Sequence, residues 1–125
     1  MKALSVQQPY ADKIISDGKD IENRTKRTHF RGTVAIHASL KLHSNAKLSN
    51  KVVEEMVRGA IIGVVDVVDC VEKHKSRWFG GPYGYVLKNP RPLKEPIPCK
   101  GKPGVWDISP RVEKEIRRQL KGKMK

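Results

Sequence analysis

Lys19, Glu22 and Arg24 stand within six positions, in the stretch DGKDIENRT. In an extended segment the side-chain period is two, so Glu22 and Arg24 share a face, and Lys19 can fold back beside them from a turn. Two cations and a carboxylate can hold a polar ligand: the cations meet a phosphate or carbonyl oxygen, and Glu22 accepts from an amino group or moves a proton. A lysine beside Arg24 can have a lowered pKa and act as a base. The plainer reading of the same three residues is an ion-paired rim with a purely structural role.

Other chemistry finds less support. Asp66 and Asp69 are three apart and face differently along a strand, so they read as barrel-end or turn groups rather than a hydrolytic pair. His29, His37 and His43 lack zinc spacing, and Cys70 and Cys99 are 29 residues apart with no CxxC, so no metal or cofactor is expected. Cys70 reads as a buried thiol at a strand end and Cys99 as a loop residue, and His37, within VAIHAS, as packed or hydrogen-bonded. Ser39 lacks the tight turn of a nucleophile elbow but can donate to a ligand.

Charge points to a partner. The 125 residues carry 26 Lys and Arg against 13 Asp and Glu, a net +13 that favours polyanions without specifying a fold. No acid lies between Glu22 and Glu54, whereas Arg24, Lys26, Arg27 and Arg31 cluster there. Lys75, Arg77 and Trp78 combine cations with an aromatic ring on which bases can stack, and Arg117 and Arg118 lie on the outer face of a terminal helix. These nine residues are the candidate nucleic-acid contacts. Trp78 or Phe79 can instead plug the end of a small barrel, and Trp106 reads as core. The chain opens without a signal peptide, and its longest apolar run, 60–71, is interrupted by two aspartates. A cytoplasmic monomer with no membrane partner is expected, with RNA as the partner and DNA as the alternative.

Strands are expected at 3–6, 21–25, 33–38, 60–71, 83–87 and 104–108. Helices are expected at 10–16 (Pro9 suiting the first helical position), at 50–58 with Val52, Val53, Met56 and Val57 inward, and from Pro110, capped by Ser109. Residues 40–50 read as a loop or frayed helix. Asp66 and Asp69 break the alternation of 60–71, which predicts a bulge or sharp bend. Five prolines in 89–104 suit edge segments and crossings. The fold class is α+β: a small, closed or partly open mixed barrel of five or six strands, its edges covered by helices. A single domain spans 1–125, with the barrel over about 1–108 and a basic helix over about 110–121.

Six ordered segments, ALSVQQPYADKI, DGKDIENRT, RGTVAIHAS, GAIIGVVDVVDCV, GPYGYVL and PGVWDI, make residues 1–108 resemble the ASCH domain family of the PUA-like superfamily. The family's GxKxxExR pattern falls on Lys19, Glu22 and Arg24, with Asp17 at the first glycine position and Gly18 one residue later. The resemblance implies a barrel with a cleft beside this motif and RNA or nucleic-acid binding. It makes Gln8, Lys19, Glu22, Arg24 and Ser39 the ligand-binding set. It also implies two enzymatic alternatives. One is a metal-independent ribonuclease with Lys19, Glu22 and Tyr85 as catalytic residues. The other is an N4-acetylcytidine-type amidohydrolase with Lys19 in the lysine's place, where Glu22 occupies the threonine position and cannot be the same nucleophile.

Overall fold

The computed structural model describes residues 1–43 and 47–124. Its elements are β1 (Lys2–Gln8), α1 (Tyr10–Ser16), β2 (Ile21–Arg24), β3 (Gly32–Leu42), α2 (Asn50–Glu55), β4 (Ala60–Val71), β5 (Tyr83–Pro98), β6 (Val105–Asp107) and α3 (Pro110–Leu120). The six strands form one mixed sheet, ordered β2-β5-β4-β3-β1-β6. Only β1 and β3 pair in parallel.

The expected barrel is not closed. Its end strands, β2 of four residues and β6 of three, do not pair with one another. The helices also cover faces rather than edges. On β1 and β3 the alternate residues Leu4, Val6, Val34, Ile36 and Ala38 join Ala11, Ile14 and Ile15 of α1 in one core cluster. The intervening Ala3 and Ala35 meet Val112, Ile116 and Leu120 of α3 in a second cluster. A sheet apolar on both faces needs a layer on each, and α1 and α3 supply them. Ser109 Oγ accepts from the Val112 amide at 3.3 Å, so α3 has the expected cap. Pro9 sits one position earlier than expected, as the cap residue of α1, and Gly18 leaves that helix with φ +75°.

The foreseen irregularity of β4 is present. Its pairing with β5 shifts between Ile61 and Gly63, Val64 and Asp66, and Val67 and Asp69. Asp66 is therefore a mid-sheet residue and not a turn group. Likewise, Asp69 lies within β4, where its carboxylate accepts from the Cys70 amide. The proline-rich stretch differs most from expectation, because β5 runs unbroken through Pro90, Pro92, Pro96 and Pro98. Pairing with β2 ends at Val86, and beyond it β4 is the one strand that pairs with β5 among the described residues. No strand pairs with its other edge there, so a proline facing that side breaks no ladder hydrogen bond.

Helix α2 is shorter than its apolar pattern and contributes no buried residue; Val52 is 43% exposed. The expected loop or frayed helix at 40–50 is strand as far as Leu42, and 44–46 lie outside the described residues. Among the described residues no helix is long and apolar enough to cross a membrane.

Candidate functional site

The motif β2 carries stands across from β1, and between them opens a cleft of about 1070 Å³, near the upper end of the range for ligand pockets. Lys19, Glu22 and Arg24 all line it. They are also partly spent on one another. Glu22 Oε2 lies 2.8 Å from Arg24 Nη2, and Glu22 Oε1 lies 3.6 Å from Lys19 Nζ. Arg24 Nη2 reaches over to donate to the Ser5 carbonyl of β1 at 2.6 Å, while Arg24 Nε is buried without a partner among the described residues. The Lys19 ammonium donates to the Ile21 carbonyl and is 5% exposed. Burial pulls its pKa below the ordinary lysine value, and the Glu22 carboxylate only partly offsets that.

Two rings flank Lys19. Its Nζ stands 5.7 Å from the centroid of Tyr10, on α1, and 5.7 Å from that of Trp78. Trp78 is set by β2 itself. Asn23 Nδ2 donates to the Trp78 carbonyl at 2.9 Å, and Asn23 Oδ1 accepts from the amides of Gly80 and Gly81 at 2.8 and 3.2 Å. Ser76 Oγ donates to Asp20 at 2.6 Å, a second tie between the 72–82 loop and the motif. Arg77 then stacks on the outer indole face, 4.7 Å from the centroid. Phe79 packs over Gly84 of β5.

The cleft is basic. Among the described residues lining it, Lys19, Arg24, Lys41, Arg77, Lys100 and Lys102 are cationic and Glu22 alone is acidic. Ser39 also lines it, as does His37, whose Nε2 lies 2.8 Å from the Cys99 carbonyl and whose ring meets Trp106 edge-on at 5.5 Å. Cys70 is buried and Cys99 partly so, both as free thiols.

Several expected site residues lie elsewhere. Gln8 is fully buried and does not line the cleft: its Nε2 donates to the Val57 carbonyl at 2.9 Å and its Oε1 accepts from the Asp12 amide at 3.0 Å. Tyr85 pairs directly with Glu22 across β2 and β5 but sits in the α1-side core below the cleft. Burial raises its pKa, which keeps the phenol protonated at neutral pH. Tyr85 is not among the residues that line the cleft.

The basic cluster is also less available than its charge suggested. Arg27 pairs with Glu72 at 2.8 Å and Arg31 with Asp69 at 3.5 Å. On α3, Arg117 pairs with Glu113 at 3.2 Å and Arg118 with Glu115 at 2.5 Å. Lys26 and Lys75 are exposed but outside the cleft. Of the nine candidate nucleic-acid contacts, Arg24, Arg77 and Trp78 line it. Tyr10, Asn23, Lys100 and Lys102 were missed. Tyr10 read as one more apolar position of a helix, and the two lysines as part of a proline-rich crossing. The only signal for them was the KGK triplet between Cys99 and Pro103. No group of three or more His, Cys, Asp or Glu among the described residues could hold a metal ion.

A curled mixed sheet with one helix on each face and a cleft at the Lys–Glu–Arg motif is the arrangement of a PUA-like fold. The chain belongs to the ASCH domain family, whose profile matches residues 4–97. A solved structure described as the S128A mutant of ZmASCH from Zymomonas mobilis superposes with a TM-score of 0.59 over 94% of both chains, at 14% identity. In sequence the chain is similar to activating signal cointegrator 1 of Homo sapiens, 28% identical over 138 residues, and of Mus musculus, 27% identical over 138 residues. Those alignments cover 94% of this chain and 24% of each relative, so the chain spans about a quarter of their length.

Proposed function

We propose that the protein binds single-stranded or structured RNA through the cleft at Lys19, Glu22 and Arg24. The observation that carries this reading is the composition of that cleft: six cations and one acid surround two aromatic rings that flank Lys19. Cations placed this way meet phosphates, and aromatic rings beside them stack bases whatever their sequence. Arg24, Arg77 and Trp78 are the contacts of the motif wall, with Lys26 and Lys75 in reach of a longer strand.

Affinity for a single-stranded RNA oligonucleotide, measured by fluorescence anisotropy, is expected to fall steeply as salt rises. Trp78→Ala is expected to weaken binding about tenfold, within the ~1–3 kcal/mol that a stacked base contributes. Absent or salt-independent binding would overturn the reading. A parallel titration with single-stranded DNA decides between the two polymers.

The lowered pKa of Lys19 favours one second reading, hydrolysis at the same cleft by a metal-independent ribonuclease or an N4-acetylcytidine-type amidohydrolase. A lysine that loses its proton more readily is a better base. Labelled RNA and acetylated cytidine test the two reactions, and any turnover should disappear in Lys19→Met; turnover that survives removes Lys19 from the chemistry.

A further inference from the structure

Residues 99–104, CKGKPG, run from the end of β5 to the start of β6 and form a wall of the cleft. Three carbonyls of this strap face the protein. Cys99 O meets His37 Nε2 at 2.8 Å, Lys102 O accepts from Ser5 Oγ at 2.5 Å, and Gly104 O accepts from the Ser5 amide at 3.1 Å. In a planar trans peptide the C=O and N–H point in opposite directions, so the inward Cys99 carbonyl turns the Lys100 amide outward. The amides of Lys100, Gly101 and Lys102 have no intramolecular acceptor among the described residues. Gly101 permits this seating, because a Cβ there would come within 2.5 Å of His37 Cε1.

Both lysine side chains are exposed, and neither forms an ion pair among the described residues. Asp107, the acid that acts on Lys102, is already salt-bridged to Lys2 at 2.7 Å. Unspent amides next to unpaired ammonium groups are the donor set that recognises phosphate. The strap also shares an anchor with the motif: Ser5 accepts from Arg24 through its carbonyl and holds the strap through its amide and hydroxyl.

We propose that the 99–104 strap is a phosphate-binding element, in which Lys100, Lys102 and the Lys100–Lys102 amides grip a backbone phosphodiester of the strand in the cleft. This rests on the nucleic-acid reading and supplies the cleft with a second wall. The test compares RNA binding by the wild-type chain, the double variant Lys100→Glu/Lys102→Glu, and a control of equal charge change away from the cleft, Lys114→Glu/Lys123→Glu. The strap variant is expected to bind at least tenfold more weakly at low salt. Its slope of log affinity against log salt should be shallower by about 0.7, the release expected for one single-strand phosphate. The control should stay within about twofold of wild type. A strap variant that matches the control in affinity and slope overturns the proposal. If the wild-type chain binds no RNA, the nucleic-acid reading falls, and titration with inorganic phosphate decides the strap alone. Amide shifts at Lys100, Gly101 and Lys102 then support it, and their absence overturns it.

Discussion

Glu22→Ala is expected to destabilise the protein by about 3 kcal/mol, the lower end of the cost of breaking a buried ion pair by removing one partner. Glu22 is 12% exposed and answers two cations at once, Arg24 at 2.8 Å and Lys19 at 3.6 Å. The two respond differently to its loss. Arg24 cannot shed its proton and keeps only the Ser5 carbonyl as an acceptor. Lys19 can, because burial already lowers its pKa and Glu22 is the largest influence raising it. Both effects place the cost at the lower end. They also set its pH dependence. A lysine whose folded pKa lies below the unfolded value binds fewer protons when folded, so stability rises with pH between the two values. Removing Glu22 lowers the folded value further and widens that window. The variant should therefore recover more stability than the wild type between neutral pH and about pH 10. Urea unfolding of both proteins at the two pH values measures the difference; an equal change in both would show that Lys19 and Glu22 are not coupled. Glu22→Gln, which keeps an acceptor but no charge, should cost about half as much.

This behaviour separates stability from binding at the motif. Lys19→Met removes a buried charge and leaves the Glu22–Arg24 pair intact, so it should be nearly neutral for folding while removing a cation from between the two rings. The motif is both an ion-paired rim and a cleft lining, two roles that looked like alternatives in the amino-acid pattern alone. Spacing placed Glu22 and Arg24 on one face, but it could not show that Arg24 reaches β1 rather than a ligand. Tyr85 illustrates the same limit, because strand alternation puts it on the face of Glu22 but says nothing about depth. Gln8 is another case: a carboxamide beside a proline turn looks available until its two partners, Val57 and Asp12, are seen.

Elements were most legible where local chemistry decides them. The Ser109 cap and the bulged β4 follow from residues acting within a few positions. Where tertiary context decides, the pattern misled. Val52 and Val53 of α2 stay outside the core, and the prolines of β5 are tolerated because β2 pairs with it only as far as Val86. Pairing of Arg27, Arg31, Arg117 and Arg118 with acids distant in sequence or one helical turn away also escaped a count of basic residues. The folded arrangement is what brings Lys100 and Lys102, which form no ion pair among the described residues, to the cleft.

Asp66→Ala should have a comparably large effect, about 3–5 kcal/mol, and should reach the cleft through β5. Asp66 accepts from Arg91 Nη2 at 2.7 Å and Nη1 at 3.4 Å, from Thr33 Oγ1 at 2.8 Å and from Asn89 Nδ2 at 3.3 Å. It clasps a shifted stretch of β5, where Asn89 takes φ 58°. Arg91 is 8% exposed and its Nε already lacks a partner, so alanine would leave a buried guanidinium unpaired. Desolvation opposes ionisation of Asp66, but the hydrogen bonds from Arg91, Thr33 and Asn89 outweigh it and hold the carboxyl below the ordinary range. A carboxyl whose folded pKa is lowered contributes stability that is complete above the unfolded value of about 4 and fades as pH falls through the folded one. Wild-type stability should therefore drop over that acid interval, and Asp66→Asn should flatten the drop while costing less than alanine at pH 7. An unchanged acid limb in Asp66→Asn would assign the loss to other carboxylates. The same stretch of β5 continues into the 99–104 strap, so Asp66→Ala should also loosen that wall. Hydrogen exchange at the Ser5 amide, which donates to the Gly104 carbonyl of the strap, would then quicken along with the amides of β5, whereas exchange confined to β5 would show that Ser5 and His37 hold the strap on their own.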